Sequence, residues 1–171
     1  FLSVQPIYEL IRADQYRYQQ FPVLSDFEQP LDLPLWRGYQ GTQIERTNQS
    51  CECNWGLAVR LGPKRWPGIT LRLRGLDLRG YQQISFCLYN PGDEFLLEMA
   101  FYDELAYNEY GQRSNQYFVA KPGWHRVTLP FKTLRSNNQA RDMQFDKPVR
   151  LTLLTSKTRS RSFVIDNLRL E

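Results

Sequence analysis

The sequence predicts a single all-β domain, an antiparallel β-sandwich of the jelly-roll type. From Pro22 onward, short runs of apolar or alternating residues recur, separated by Gly, Pro, Asn and Asp. Helical spacing of apolar residues is confined to two segments. A length of 171 residues fits one domain with a sizeable core. Many short strands joined by turns, with almost no helix, are typical of such sandwiches.

The elements follow from these runs in chain order. Residues 1–21 form a lead-in segment, in which 1–14 looks partly helical, and residues 22–171 form the sandwich. A second partly helical stretch spans 132–145. The predicted strands are 22–28, 42–48, 56–62, 68–74, 82–90, 94–103, 115–120, 125–131, 148–156 and 162–170.

Period-two alternation assigns a core face and an outer face to each strand. Glu98 and Tyr102 point outward from one predicted strand, Tyr89 from another and Arg150 from a third. If these strands are neighbours, one sheet has a polar and aromatic outer face.

The predicted last strand carries a carboxylate in an apolar row. Alternation places Asp166 on the same face as Leu168 and Leu170, where an ionised group is costly unless a cation or several donors satisfy it. Asp26 and Glu28 lie in the predicted first strand. Acidic residues on the opening and closing strands indicate a tie between the chain ends, and a hard cation such as calcium is a candidate for it.

Composition argues against two classes of partner. The net charge is a mild +4, the 22 basic residues are scattered, and no nucleic-acid recognition motif is visible. The densest basic cluster, Lys157–Arg161, is expected to be a solvated loop. No stretch approaches the roughly 18 apolar residues that span a bilayer. The aromatic content of 14% exceeds what a core needs, which indicates that some rings line a surface.

The predicted loop 103–115 places flat rings beside planar polar side chains. It contributes Tyr107, Tyr110, Arg113 and Asn115 next to Asp103. Rings stack on the apolar faces of pyranosides, and planar polar groups pair with neighbouring hydroxyls. The loop therefore predicts part of a sugar-binding surface, the alternative being tyrosines that only cover a long loop.

Signals for catalysis or for a zinc site are weak. The single histidine, His125, shares a predicted strand face with Val127 and Leu129, which favours a structural role. The common nucleophile, metalloprotease and phosphate-loop motifs are missing, and sequence spacing alone does not place two carboxylates across a substrate. Three cysteines, Cys51, Cys53 and Cys87, suit zinc poorly. Either Cys87 pairs with one of the other two in an exported protein, leaving one thiol, or all three are buried thiols.

The four tryptophans are expected to have different roles. Trp66 and Trp124 lie at turn–strand junctions, where an indole usually closes the end of a sandwich. Trp36 and Trp55 lie in or beside loops, and their roles stay open.

A series of short motifs runs through residues 22–171. The motifs are Asp26-Phe27-Glu28, Trp36, Gly56-Leu57-Ala58-Val59, Trp66-Pro67-Gly68-Ile69, Leu78-Arg79-Gly80-Tyr81, Tyr89-Asn90-Pro91, Pro122-Gly123-Trp124 and Ile165-Asp166-Asn167-Leu168-Arg169-Leu170. In this order they resemble the carbohydrate-binding-module type of β-sandwich, within the galactose-binding-domain-like group. The pattern is also similar to the extracytoplasmic domain that follows the membrane helices in some bacterial VanZ-like proteins. By that similarity, residues 1–10 are the end of a linker from the membrane.

The resemblance implies a non-catalytic, extracytoplasmic module that binds a glycan and carries a structural calcium ion. Glu28 and Asp166 match the calcium ligands, Asp26 is a weaker candidate, and main-chain carbonyls near 48–53 complete the shell. The residues expected to bind the glycan, from the loop and from the resemblance, are Tyr89, Glu98, Tyr102, Asp103, Tyr107, Arg113, Asn115 and Arg150. Without a row of exposed tryptophans, a soluble glycan or a small sugar fits better than crystalline cellulose.

Two alternatives on the same fold stay open. One is a protein–protein or assembly module, which an exposed apolar patch in place of the polar groove would favour. The other is a polysaccharide lyase or hydrolase, which needs His125 or a carboxylate pair at the bottom of the cleft.

Overall fold

The computed structural model describes residues 5–106, 109–156 and 161–171. It contains one α-helix, two short 3-10 turns (Pro30–Leu35 and Phe131–Thr133) and eleven strands within those residues. Three predictions fall partly outside them: Tyr107 of the loop, most of the basic cluster 157–161, and the start of the lead-in. The elements are α1 (Gln5–Gln20), β1 (Val23–Ser25), β2 (Trp36–Tyr39), β3 (Gln43–Thr47), β4 (Gly56–Arg60), β5 (Gly68–Arg72), β6 (Gln83–Asn90), β7 (Phe95–Asp103), β8 (Ser114–Ala120), β9 (Gly123–Pro130), β10 (Pro148–Leu154) and β11 (Ser162–Leu170).

The strands form two antiparallel sheets, which confirms the predicted sandwich. One sheet has the order β3-β4-β11-β6-β9, with β1 paired to β11, and the other has the order β2-β5-β10-β7-β8. Inward side chains of both sheets share one apolar core, which includes Phe86 and Phe163 from the first sheet and Leu71 and Phe101 from the second. No helix of the described residues is long and apolar enough to cross a membrane.

All ten predicted strands are present, and β2 is an additional one. The tetrapeptide Trp36-Arg37-Gly38-Tyr39 is too short to show alternation, and it pairs with β5 along its whole length. The helix α1 extends to Gln20, six residues beyond the predicted helical stretch, and buries Ala13 and Arg17. Arg17 donates to the carbonyl of Arg72 at 2.5 Å, so α1 is anchored at the end of β5.

The predicted faces of β11 are wrong after Ile165, and a bulge explains why. Asn167 has a left-handed φ of 49°, and the pairing of β11 with β6 shifts register between Asp166 and Arg169. The extra residue returns Leu168 to the core side, in line with Ile165. Asp166 is paired with Cys87, whose side chain lies on the outer face. The carboxylate is therefore not in an apolar row.

The first strand is also shorter than predicted. β1 ends at Ser25, because Phe27 takes a left-handed φ of 61° that an extended strand cannot contain. Asp26 and Glu28 therefore follow β1 rather than lying in it. The strand still pairs directly with the end of the chain, Val23 opposite Arg169 and Ser25 opposite Leu168.

Candidate glycan-binding cleft

Three rows of side chains cross the outer face of the five-stranded sheet. Strand register defines the rows as Arg72–Arg150–Tyr102, then Arg37–Thr70–Thr152–Ala100–Asn115, then Tyr39–Gly68–Leu154–Glu98–Tyr117. Most of these residues line a cavity of about 640 Å³, together with Trp66, Tyr110 and Arg113. Glu98, Tyr102, Arg113 and Arg150, four of the residues predicted to bind glycan, therefore meet in one cleft.

A polar network forms one end of the cleft floor. Arg113 donates to Glu98 and to Asn115, each at 2.8 Å, and to the hydroxyl of Tyr102. The amide of Asn115 and the hydroxyl of Tyr117 also donate to Glu98. Burial raises the pKa of Glu98, although the Arg113 guanidinium and the hydrogen bonds oppose the rise. The network holds the loop residue Arg113 against Glu98 and Asn115, which lie on the sheet.

Tyr102 is part of the cleft floor, but its ring is not free to stack on a sugar. The residue is only 6% exposed, and the guanidinium of Arg150 lies 3.9 Å from the ring centroid. Arg113 lies 5.4 Å from the same centroid. Tyr102 therefore supports two arginines, and the rings that a ligand can reach must be others.

The reachable rings are Trp66, Tyr110 and Tyr117, which are 42%, 60% and 55% exposed. Trp66 comes from the turn before β5, whereas Tyr117 stands on the edge strand β8. The hydroxyls of Tyr110 and Tyr117 are hydrogen-bonded, which raises the pKa of Tyr110. Trp66 was expected to close the end of the sandwich, and that expectation is wrong. The indole lines the cleft from a left-handed residue, φ 59°, and such a strained position in a bulky residue often accompanies a functional site.

Gly68 lets Tyr39 lie across the floor of the cleft. A Cβ at Gly68 would come within 2.5 Å of the Tyr39 hydroxyl and 2.2 Å of the Leu153 carbonyl oxygen, so any side chain there would displace the ring. Burial raises the pKa of Tyr39, which keeps its hydroxyl protonated and able to donate. Sequence reasoning missed Tyr39 together with strand β2, and it missed Arg37 for the same reason.

Tyr89 does not belong to this cleft. Its strand, β6, pairs with β11 and β9, so Tyr89 lies on the outer face of the opposite sheet. There it packs against Trp124, with ring centroids 5.2 Å apart, and lines a separate cavity of about 680 Å³ with Glu45 and Arg60. Trp124 is 37% exposed on the same face, so it does not close an end of the sandwich either.

Asp103 does not face the cleft. Its side chain is fully buried and pairs with Arg141 at 2.5 and 2.8 Å. Burial alone would raise the pKa of Asp103, but Arg141 and the N–H groups of Gln144 and Ala106 outweigh it, and the pKa is lowered. Asp103 therefore anchors the loop that carries Arg113 rather than contacting a ligand.

The arrangement offers little to an enzyme. Glu98 is the sole carboxylate among the described residues that line the cleft, so the carboxylate pair of a glycosidase is not formed there. His125 lies on the opposite sheet, paired with Leu88, and its strand turns Val127 and Leu129 into the core. His125 thus shares its strand face with Val127 and Leu129, as its sequence spacing predicted.

The carboxylates predicted to hold calcium accept main-chain N–H groups. Asp166 accepts from Cys51 at 3.0 Å and from Asn167 at 2.7 Å, while Glu28 accepts from Asn54 and Trp55, each at 2.8 Å. These N–H donors lower the pKa of Glu28 although burial opposes them. Burial raises the pKa of Asp166 in spite of its donors.

The carboxylate oxygens of Asp26, Glu28 and Asp166 are a ligand type that calcium prefers, but their positions do not form a calcium site. The loop before β4 presents N–H donors to the carboxylates, whereas calcium needs carbonyl and carboxylate oxygens. Among the described residues, the oxygens of Asp26, Glu28 and Asp166 are not all within 4.8 Å of one another. As arranged, the residues do not fit a shared ion, and calcium stays a prediction.

One of the cysteine alternatives is realised. Cys51 and Cys87 form a disulfide with a Cα–Cα distance of 6.4 Å, and Cys53 is an exposed free thiol. The disulfide ties the loop before β4 to strand β6, beside Asp166.

Known structures share this architecture. The family 11 carbohydrate-binding module from Clostridium thermocellum, in complex with a β-1,3-1,4-mixed-linked tetrasaccharide, has a TM-score of 0.69 and 19% identity over 86% of this chain and 93% of that chain. The CBM22-1 xylan-binding domain of Paenibacillus barcinonensis Xyn10C has a TM-score of 0.58 and 13% identity over 81% and 86%. This chain shares its fold with carbohydrate-binding modules. No family model matches the chain, and the comparison with curated proteins found no match.

The same fold also occurs inside a larger enzyme. An exo-β-agarase has a TM-score of 0.72 and 11% identity over 87% of this chain, but the match covers only 24% of the agarase chain. The likeness to carbohydrate-binding modules, in contrast, extends over nearly the whole of those modules.

Proposed function

We propose that this chain is a non-catalytic module that binds a glycan in the cleft on the five-stranded sheet. The observation that carries the proposal is the pairing of reachable rings, Trp66 and Tyr117, with a fixed set of planar polar groups around Glu98 and Arg113. Rings on a preformed surface stack on pyranosides, and the polar groups orient the hydroxyls. The fold shared with carbohydrate-binding modules supports the same conclusion.

The composition of the cleft favours glycan binding over the two alternatives. An assembly module would present a continuous apolar patch, whereas this floor carries Arg37, Thr70, Glu98, Arg113 and Arg150. The lyase or hydrolase alternative needs His125 or a carboxylate pair in the cleft, and the described lining residues include one carboxylate, Glu98, and not His125.

The extracytoplasmic location is a further part of the proposal. The Cys51–Cys87 disulfide supports it, because disulfides persist mainly in oxidising compartments. The similarity to VanZ-like proteins and membership of the galactose-binding-domain-like group stay predictions.

Affinity electrophoresis in gels that contain soluble glycans tests the proposal. We expect wild type to be retarded by at least one glycan, and Trp66→Ala with Tyr117→Ala to lose about tenfold in affinity, since an aromatic contact is worth about 0.5–1.5 kcal/mol. Trp124→Ala is the matched control, because Trp124 is also an exposed tryptophan but stands on the opposite sheet.

Two results would contradict this assignment. If no glycan retards wild type, the assembly alternative becomes the better explanation. If Trp124→Ala loses binding while Trp66→Ala keeps it, the glycan occupies the opposite face near Tyr89 instead. Circular dichroism of each variant separates lost binding from lost folding.

A further inference from the structure

We propose that the cleft selects an acidic glycan, one that carries uronate carboxylates or sulfate esters. This inference rests on the proposed function and specifies its ligand class. Three guanidinium groups, those of Arg37, Arg113 and Arg150, line the cleft against the single carboxylate of Glu98 among the described lining residues. The cleft therefore has an excess of two positive charges, half of the net +4 of the whole chain.

The neighbouring acidic residues do not cancel this excess. Asp103, further along β7, is buried and paired with Arg141. Asp14 on α1 pairs with Arg17 at 2.7 Å and with Arg72 at 3.4 Å, and Arg72 is the residue beside Arg150 in the first row. Asp103 and Asp14 therefore do not neutralise the arginines that line the cleft.

The arginines differ in how they are held. Arg113 already donates to Glu98 and Asn115, whereas the guanidinium carbon of Arg150 lies 3.9 Å from the centroid of the Tyr102 ring. Arg37 is exposed on the edge strand β2, and its guanidinium group makes no hydrogen bond or ion pair with another described residue. Arg37 is therefore the guanidinium most available to a ligand.

The spacing of the arginines suits a chain of sugars rather than one ion. Arg37 on β2 and Arg150 on β10 are separated by β5, which places their strands about 10 Å apart. Both lie on the outer face, Arg37 in the row of Thr70 and Thr152 and Arg150 in the row beside it. Guanidinium groups bind carboxylates and sulfate-like oxyanions through paired hydrogen bonds.

Affinity electrophoresis with three glycans tests the inference. The glycans are polygalacturonate, a sulfated galactan and a neutral mixed-linkage β-glucan. We expect at least one acidic glycan to bind more tightly than the neutral one, and the preferred acid identifies carboxylate or sulfate as the source of charge. Raising salt from about 0.1 M to about 1 M, which shortens the Debye length from about 10 to about 3 Å, should weaken acidic binding selectively.

The decisive comparison is between single charge removals on the two sheets. Arg37→Gln should lose about tenfold in affinity for the acidic glycan, which corresponds to about 1.4 kcal/mol. Arg60→Gln, which removes an exposed arginine from the opposite sheet, should bind as wild type does. An equal loss in both would mean general attraction of a polyanion to a basic protein and would overturn the inference.

The inference and the proposed function fail in distinguishable ways. Tighter binding of the neutral glycan, abolished by Trp66→Ala, would keep the proposed function and refute the acidic ligand. Binding of none of the three glycans would contradict both.

Discussion

Asp103 carries a negative charge inside the protein, and four hydrogen bonds hold it there. Two come from Arg141, and the others come from the main-chain N–H groups of Ala106 at 2.9 Å and Gln144 at 2.8 Å. Arg141 also donates to the carbonyl of Gln112 at 2.9 Å, next to the cleft residue Arg113. A single buried residue thus determines where a functional loop lies.

We expect Asp103→Asn to lower the free energy of unfolding by about 3 kcal/mol, because removal of one partner leaves the Arg141 charge uncompensated. In asparagine, an NH2 donor also replaces one carboxylate oxygen, and it would face the N–H donors that now surround Asp103. Urea unfolding measures the loss, and affinity electrophoresis should report weaker glycan binding through the displaced loop.

A surface pair provides the control for this variant. Asp77 and Arg79 form an ion pair of 2.6 Å, but both side chains are more than half exposed. Asp77→Asn should leave the unfolding curve unchanged, because exposed pairs contribute little. If Asp103→Asn is as stable as Asp77→Asn, the anchoring role of Asp103 is wrong.

Among the elements, the 3-10 turn at Pro30–Leu35 contains a buried acid next to α1. Asp32 accepts the N–H of Phe27 at 2.8 Å and the side-chain amide of Gln20 at 3.1 Å. Burial raises the pKa of Asp32 to about 7, and the nearby charge of Asp26 adds to the rise. The other charge nearby, on Arg17, is paired with Asp14.

This raised pKa makes stability depend on pH. The unfolded chain releases the Asp32 proton near pH 3.9, whereas the folded protein keeps it until about pH 7. The folded state therefore binds the extra proton between these values, and its stability falls as the pH rises from about 4 to about 7. Above pH 7 this contribution is constant.

We expect Asp32→Asn to be more stable than wild type at pH 8, by about 2–4 kcal/mol, and the gain to vanish near pH 4. An amide donor there can also satisfy the buried Gln20 carbonyl oxygen, which has no partner among the described residues, once the Gln20 amide is rotated. Urea unfolding at both pH values measures the difference. A variant that is less stable than wild type at pH 8 would contradict the raised pKa.

The elements also show which features alternation can predict. The faces of β7 and β10 follow from their sequences, and Glu98, Tyr102 and Arg150 were placed correctly on one outer face. Tyr89 was assigned to the wrong sheet, because alternation gives a face but not the order of strands. Trp66 was misplaced because a left-handed turn residue can direct a side chain over either sheet.

At the scale of the whole molecule, the first and last strands meet, although not in the way that alternation in β11 suggested. The strand β1 pairs directly with β11, and Asp166 accepts N–H groups from the loop that Cys51 anchors to Cys87. Glu28 and Asp166 both accept main-chain N–H groups from the loop before β4 at this junction. Their partners were not predictable, because the bulge at Asn167 and the N–H-rich loop depend on contacts between distant segments.

Melting with calcium and with chelator distinguishes an ion from hydrogen bonds at this junction. Since N–H donors already satisfy Asp166, we expect the wild-type midpoint to be the same in both conditions. Asp166→Asn should lower the free energy of unfolding by about 1–3 kcal/mol in both, because it weakens the acceptor of buried N–H groups. A ligand that binds only the folded state must raise the melting midpoint. If calcium raises the midpoint of wild type but not that of Asp166→Asn, the calcium tie is established. A junction held by hydrogen bonds alone would then be wrong.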